Sequence, residues 1–241
     1  QKKSMFFSAG GEAVENAIKI ARYYTKRTAL ITFTNGYHGR SYMGMALSAR
    51  MVPFKQGFGP FPGDIFRLPF PDDFHGVGLE DTKRAFELLF RSDCAPDQIA
   101  AIFFEPVQGE GGYNIASQEF VEYLRTICDE HGIVLVADEI QSGMGRTGKM
   151  FAMEHYGVDP DLTCVGKSTG GGLPISGIVG KADIIDKYFD LQEEYDKIFN
   201  DVQELEEYSE RLENQVDLLT SFIADSEYEI DTVTSGKEVV R

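Results

Sequence analysis

Through its first three-quarters the chain alternates two kinds of hydrophobic pattern. Residues 5–8, 29–34, 100–105, 133–138, 162–165 and 175–179 are short runs rich in β-branched and aromatic side chains, and these read as strands. Between them lie segments with helical spacing. Residues 12–26 bring Ala13, Ile18, Ala21 and Tyr24 near one face. Residues 79–90 form a second amphipathic stretch, and residues 118–131 carry Phe120, Leu124 and Cys128 at i, i+4 and i+8. This alternation implies crossover connections and an α/β fold, a mainly parallel sheet with helices on both faces. In such sheets ligands bind beyond the carboxyl ends of the strands. Residues 36–73, rich in Gly, Pro and Phe with little periodicity, read as a functional loop.

After about residue 186 the pattern changes. Leu191, Tyr195, Ile198, Val202 and Leu205 alternate by four and three. Past Ser209 the series resumes at Leu212, Val216, Leu219 and Ile223. Leu dominates one column and β-branched residues the other, which reads as a coiled-coil seam with a preference for two strands, between chains or as a hairpin; one long helix packed on its own domain is the other reading. No Gly or Pro falls between Gly180 and Gly236, so a helix over 191–223, about 50 Å long, is uninterrupted. The resulting division is a domain at 1–186, an acidic heptad-bearing helix at 187–230 and a frayed tail at 231–241.

Charge sharpens that division. The net charge is −16, and residues 186–241 hold 17 acidic against 5 basic side chains, a balance of −12, leaving −4 for the rest. Acidity on this scale excludes a basic face for nucleic acid. No run approaches the roughly 18–20 apolar residues of a membrane span, so no membrane partner is expected. Gln1-Lys2-Lys3 leads straight into a strand pattern, so no signal peptide is expected there. The cysteines Cys94, Cys128 and Cys164 are dispersed and odd in number, which points to reduced thiols and a cytoplasmic or matrix-like setting. The four histidines lack metal-ligand spacing, and no metal is expected.

Candidate chemistry gathers where strands end. Gly10-Gly11 opens a helix, where free backbone N–H groups favour an anion such as phosphate. Tyr37-His38-Gly39-Arg40 offers an aromatic ring for stacking and a guanidinium for a carboxylate. A Glu-Pro-Val-Gln-Gly-Glu-Gly-Gly run at 105–112 enters a glycine-rich loop with two carboxylates, Glu105 and Glu110. Asp138 ends a buried apolar run and needs a partner there, with Gln141 three positions on. Lys167, 29 positions after Asp138, lies in Gly-Lys-Ser-Thr-Gly-Gly-Gly. Gly166-Lys167-Ser168 matches the end of a P-loop, but position 161, where that motif needs glycine, is Asp. A lysine amid small residues can bind a flat cofactor's aldehyde, and a strand-end aspartate can hold a proton on a pyridine nitrogen. Together they suit pyridoxal phosphate.

Taken in order, these motifs resemble the class III (ω-type) pyridoxal phosphate aminotransferases, and within them the 4-aminobutyrate aminotransferases. The resemblance covers residues 1 to about 186. It rests on the Gly-Glu-Ala-Val-Glu-Asn-Ala, Tyr-His-Gly-Arg, Glu-Pro-Val-Gln-Gly-Glu-Gly-Gly and Asp-Glu-Ile-Gln-Ser-Gly runs. It implies the large domain of a fold type I enzyme with pyridoxal 5'-phosphate as cofactor. Lys167 would be the Schiff-base lysine and Asp138 the pyridinium partner. Gln141 would contact the ring oxygen, Tyr37 would stack on the ring, and Gly10 and Gly11 would contact the phosphate. Arg40 would bind the distal carboxylate of an ω-amino acid, and Glu110 would hold or release a second carboxylate-binding arginine. The implied partners are amino acid and 2-oxo acid substrates and a second copy of the chain.

Gly11 stands where most relatives have serine. Within residues 1–241 the family's N-terminal segment, small C-terminal domain and Gly-Thr-aromatic loop find no counterpart, so impaired turnover is expected. An aminomutase or racemase on the same fold, and a non-catalytic cofactor-binding fragment with an interaction tail, are the other readings.

Overall fold

The computed structural model of the chain describes residues 1–235, apart from the side chains of Leu191, Gln192 and residues 225–235. It divides into two units, Gln1–Tyr188 and a second that begins at Phe189.

The first unit is built on a seven-stranded sheet. Its strands are β1 (Lys2–Phe7), β2 (Ala29–Phe33), β3 (Ile65–Leu68), β4 (Ile99–Phe104), β7 (Val134–Asp138), β8 (Leu162–Val165) and β9 (Ser176–Lys181). They lie in the order β1-β9-β8-β7-β4-β2-β3. β3, β2, β4, β7 and β8 run parallel, and β9 is antiparallel to both β8 and β1. The carboxyl ends of β1, β2, β4, β7 and β8 therefore meet at one edge. A two-stranded hairpin, β5 (Val107–Gln108) with β6 (Asn114–Ile115), follows β4 at that edge.

Helices cover both faces. On one side α3 (Leu79–Ser92) and α4 (Gln118–His131) pack Phe86, Leu89, Phe120 and Leu124 against Ile31, Phe33, Ile102, Phe104 and Leu135. On the other, α1 (Gly10–Thr25) packs Ala13, Val14, Ala17 and Ile18 against Leu30, Phe103, Val136 and Cys164. Successive residues of β2, β4 and β7 thus feed opposite cores, so each strand is buried throughout and apolar except at Thr32 and the terminal Asp138, as expected of strands covered on both faces. Local signals agree with this packing. The Ser117 hydroxyl accepts the Phe120 N–H and starts α4, and Gly132, with φ 64°, ends it in the left-handed conformation.

The segment 36–73 is more ordered than its composition suggests. It contains the six-residue α2 (Tyr42–Leu47) and the edge strand β3. The Arg67 guanidinium on β3 donates from Nη2 to the carbonyls of Ala46, Leu47 and Ser48 at 2.9, 3.2 and 2.9 Å. It satisfies the carboxyl end of α2 with a long-range contact that no local pattern announces.

The last element, α5 (Ala182–Ser235), is one uninterrupted helix of 54 residues. Its first turns belong to the first unit, where Ile184 and Ile185 are buried beside α1. The helix is continuous through 191–223, so the seam is not folded back on itself as a hairpin. It also continues past residue 231, into the segment expected to fray; residues 236–241 lie outside the described residues. Among the described residues no helix is long and apolar enough to cross a membrane. Cys94, Cys128 and Cys164 are all free and buried.

Candidate active site

At the carboxyl edge of the sheet a cavity of about 300 Å³ is lined by Gly10, Gly11, Tyr37, Arg40, Asp138, Gln141 and Lys167, together with His38, Gly39, Glu105 and Ile140. The groups arrive from the ends of five strands: Gly10 and Gly11 after β1, Tyr37 and Arg40 after β2, Glu105 after β4, Asp138 and Gln141 at the end of β7, and Lys167 after β8. Gly10 and Gly11 form the first turn of α1, whose N–H groups have no acceptor within the helix. Glu12 folds back to accept the N–H groups of Ser8 and Ala9 at 2.8 and 3.0 Å, which fixes the entry to that turn. A second cavity, of about 610 Å³, adjoins the first and shares Gln141 and Lys167 with it. Glu110 lines this second cavity and not the first, and its side chain is exposed.

Lys167 follows β8 at the junction of the two cavities. It adopts φ 47°, a left-handed conformation that non-glycine residues rarely occupy and that the surrounding turn must hold. Its Nζ donates to Gln141 Oε1 at 2.6 Å. Gln141 can reach that position because residue 109 is glycine: a Cβ there would overlap the Gln141 amide. The loop carrying Gln141 is tied down by the buried Glu139. Its carboxylate accepts the N–H groups of Ala152 and Met153 at 2.6 and 3.0 Å and the Ser142 hydroxyl at 3.2 Å.

Asp138 is 5% exposed, and its Oδ2 stands 2.8 Å from His38 Nδ1, while Oδ1 accepts the Ile140 N–H at 3.2 Å. His38 is itself buried, and its N–H donates to Ser48 Oγ at 2.9 Å. Burial pulls the His38 pKa down, but the hydrogen bond and charge of Asp138, joined by the charge of Glu105, outweigh it and leave it raised. Glu105 is also buried. Its oxygens accept the N–H groups of Tyr37 at 2.8 Å and Gly109 at 3.1 Å. Burial pushes its pKa up to about 7; His38 and the two backbone donors pull against that rise, and Asp138 adds to it.

Tyr37 and Arg40 share a support absent from the motif reading. The Phe54 ring lies 5.0 Å from the Tyr37 ring, and the Arg40 guanidinium stands over Phe54 at 5.2 Å. Arg40 is otherwise exposed, with no hydrogen bond or ion pair among the described residues. Of His38, Glu105 and Phe54, the sequence reading gave the first no role, the second only that of one of two carboxylates able to tune a pocket, and the third none. The first two lay inside the quoted motifs, and buried polar side chains at strand ends were the available signal. Phe54 had none.

A doubly covered, mainly parallel sheet with a lysine, an aspartate and a helix amino terminus converging at its carboxyl edge defines a pyridoxal phosphate-type large domain. The aminotransferase class-III family profile matches residues 1–192, and the chain belongs to that family. It is 51% identical over 185 residues to the 5-aminovalerate aminotransferase of Pseudomonas aeruginosa, an alignment covering 77% of this chain and 43% of that protein. It is 49% identical over 185 residues to the 4-aminobutyrate aminotransferase of Escherichia coli, again 77% and 43%. Among solved structures it is similar to an (S)-enantioselective omega-transaminase from Thermomicrobium roseum, with TM-score 0.70, 32% identity, and 78% and 44% of the two chains covered. It is also similar to an amine transaminase from an uncultivated Pseudomonas species in its PLP-bound form, with TM-score 0.69, 30% identity, and 77% and 45% covered. The chain thus spans less than half the length of these relatives.

Proposed function

We propose that the site binds pyridoxal phosphate and serves transamination between an ω-amino acid, such as 4-aminobutyrate or 5-aminovalerate, and a 2-oxo acid. One observation carries the reading: Lys167, Asp138, Gln141, Tyr37, Arg40 and the α1 amino terminus line a single cavity. This donor set fits the cofactor, with an amine for its aldehyde, a carboxylate for its ring nitrogen, an amide for its ring oxygen and free N–H groups for its phosphate. When bound, the cofactor supplies the electron sink that stabilises negative charge at the substrate's amine-bearing carbon.

The chain's own residues do the rest. The backbone N–H groups of Gly10 and Gly11 hold the phosphate. Asp138 keeps a proton at the ring nitrogen, and His38 keeps the Asp138 carboxylate oriented. The Tyr37 ring would stack on the cofactor ring. Lys167 Nζ holds the cofactor in the resting state and, once freed, moves a proton at the substrate's amine-bearing carbon as general base. Arg40 takes the substrate's distal carboxylate, and because it is exposed and unpaired it is free to do so. The 241-residue chain by itself leaves Lys167 and Arg40 open to water, and slow turnover is the expected result.

The test is direct. The purified chain is mixed with pyridoxal phosphate, reduced with borohydride and mapped by mass spectrometry. The cofactor mass should be fixed on Lys167, and Lys167→Ala should abolish it. No fixed mass, or a map to another lysine, would reject the assignment.

A further inference from the structure

The second unit presents a surface that the aminotransferase reading leaves unexplained. Along α5, assigning Leu to heptad position d places Tyr195, Val202, Ser209, Val216 and Ile223 at a. The d column then runs Ile198, Leu205, Leu212 and Leu219. Every apolar member of both columns is at least 43% exposed, so the seam is an apolar stripe, interrupted only at Ser209 and open to solvent over almost thirty residues. Stripes of this kind mark interaction sites. β-branched residues at a with Leu at d suit a two-stranded partner, and Ser209, polar at an a position, sets the register.

Charge decides what kind of strand fits. The positions flanking the seam include Glu194 and Asp201 at g and Glu206 and Glu213 at e, and from 192 to 222 no Lys or Arg occupies either. In a parallel pair, residue g of one helix faces the e residue five positions on in its neighbour. A second copy would set Asp201 against Glu206 twice over. An antiparallel pair would set g against g and e against e, again without any positive charge. We propose that α5 docks a helix of another protein that carries its own a/d seam and has Lys or Arg at its flanking positions. Attraction along both edges then replaces the repulsion that opposes self-pairing, and specificity follows from the same charges. This inference is independent of the proposed catalytic function.

Sedimentation velocity and fluorescence anisotropy of the whole chain test it with two labelled synthetic helices. Both span four heptads with Val at a, Leu at d and Ser opposite Ser209; one has Lys at every e and g, the other Glu. The Lys-flanked helix should bind one to one, at least about tenfold tighter than the Glu-flanked helix, and should weaken as sodium chloride rises from about 0.1 M to about 1 M. Leu205→Asp should abolish binding, and its exposed position spares the first unit. Asp201→Lys with Glu206→Lys should shift the preference toward the Glu-flanked helix. Equal binding of both helices, binding of neither, or self-association that Leu205→Asp removes and that excludes the Lys-flanked helix would overturn the proposal, the last in favour of a second copy.

Discussion

His38 Nδ1 stands 2.8 Å from Asp138 Oδ2, and both side chains are almost wholly removed from water. The two residues lie 100 positions apart, on the segment after β2 and at the end of β7. Among the described residues no other side chain hydrogen-bonds Asp138. His38→Leu should therefore leave a buried carboxylate without its charge-bearing partner and cost about 3 kcal/mol of stability. Urea unfolding of the cofactor-free chain measures the loss. The double variant with Asp138→Leu should be less destabilised than the two single variants added together, because the second change removes the orphaned charge. Strict additivity would show that the contact carries no coupling.

Glu105 gives this centre a pH dependence. Its pKa rises from 4.5 to about 7 in the folded chain, first because burial penalises the carboxylate. The folded chain thus keeps a proton that the unfolded chain releases above 4.5. Stability falls as pH rises from about 4.5 to about 7, by on the order of 3 kcal/mol, and this loss is complete above that range. His38 acts in the same direction. Its raised pKa contributes stability that is fully present below 6.5 and lost as pH passes its folded value. Glu105→Gln should flatten the acid half of the decline and leave most of the His38 half, which rests first on Asp138. Thermal unfolding midpoints between about pH 4.5 and pH 8 would show it, and an unchanged profile would count against Glu105 as the titrating group.

Strand and helix patterns were legible in the sequence wherever an element was long or buried on both faces. Gln118–His131 and Leu162–Val165 carry their signals within themselves, in a serine cap and a terminal glycine for the helix and a short, mainly apolar run for the strand. α2 and β3 were not legible, because six and four residues show too little periodicity; β3 is held by its pairing with β2, and Arg67 ties the end of α2 to it. The site divides in the same way. Asp138 and Lys167 stand out because an acid ends an apolar strand and a lysine sits among glycines. The parts played by His38, Glu105 and Phe54 exist only once distant strand ends meet. Glu110, expected to hold or release a carboxylate-binding arginine, lines the adjoining cavity that shares Gln141 and Lys167 with the first.

Gly109 makes room for the Gln141 amide, so Gly109→Ala should push Gln141 away from Lys167 Nζ. Gly109 does not occupy the left-handed region, so the fold should survive while the hydrogen bond is lost. Pyridoxal phosphate should bind about tenfold more weakly, equivalent to about 1.4 kcal/mol, as followed by absorbance titration. Gln141→Ala in the same background should add little further loss, since the displaced amide no longer contributes. A full additional loss would mean that Gln141 acts independently of its place beside Gly109.

The two glycines that open α1 should respond in opposite ways to serine. A Cβ on Gly11 would meet only the Ser41 side chain, at 3.8 Å or more, which is ordinary contact. Its φ lies outside the left-handed region, so a side chain brings no backbone strain. Gly11→Ser would add a hydroxyl donor at the helix amino terminus, beside the cavity where the phosphate is proposed to lie. Pyridoxal phosphate should bind about 0.5–1.5 kcal/mol more tightly. Pyridoxal, which lacks the phosphate, should gain nothing. At Gly10 a Cβ would stand 3.0 Å from Ile140 Cδ1, so Gly10→Ser must displace the residue that leads from Asp138 to Gln141. It should weaken both ligands together. Titrating the two ligands against the two variants separates a phosphate contact from a packing effect. An equal gain for pyridoxal and pyridoxal phosphate with Gly11→Ser would place the phosphate elsewhere.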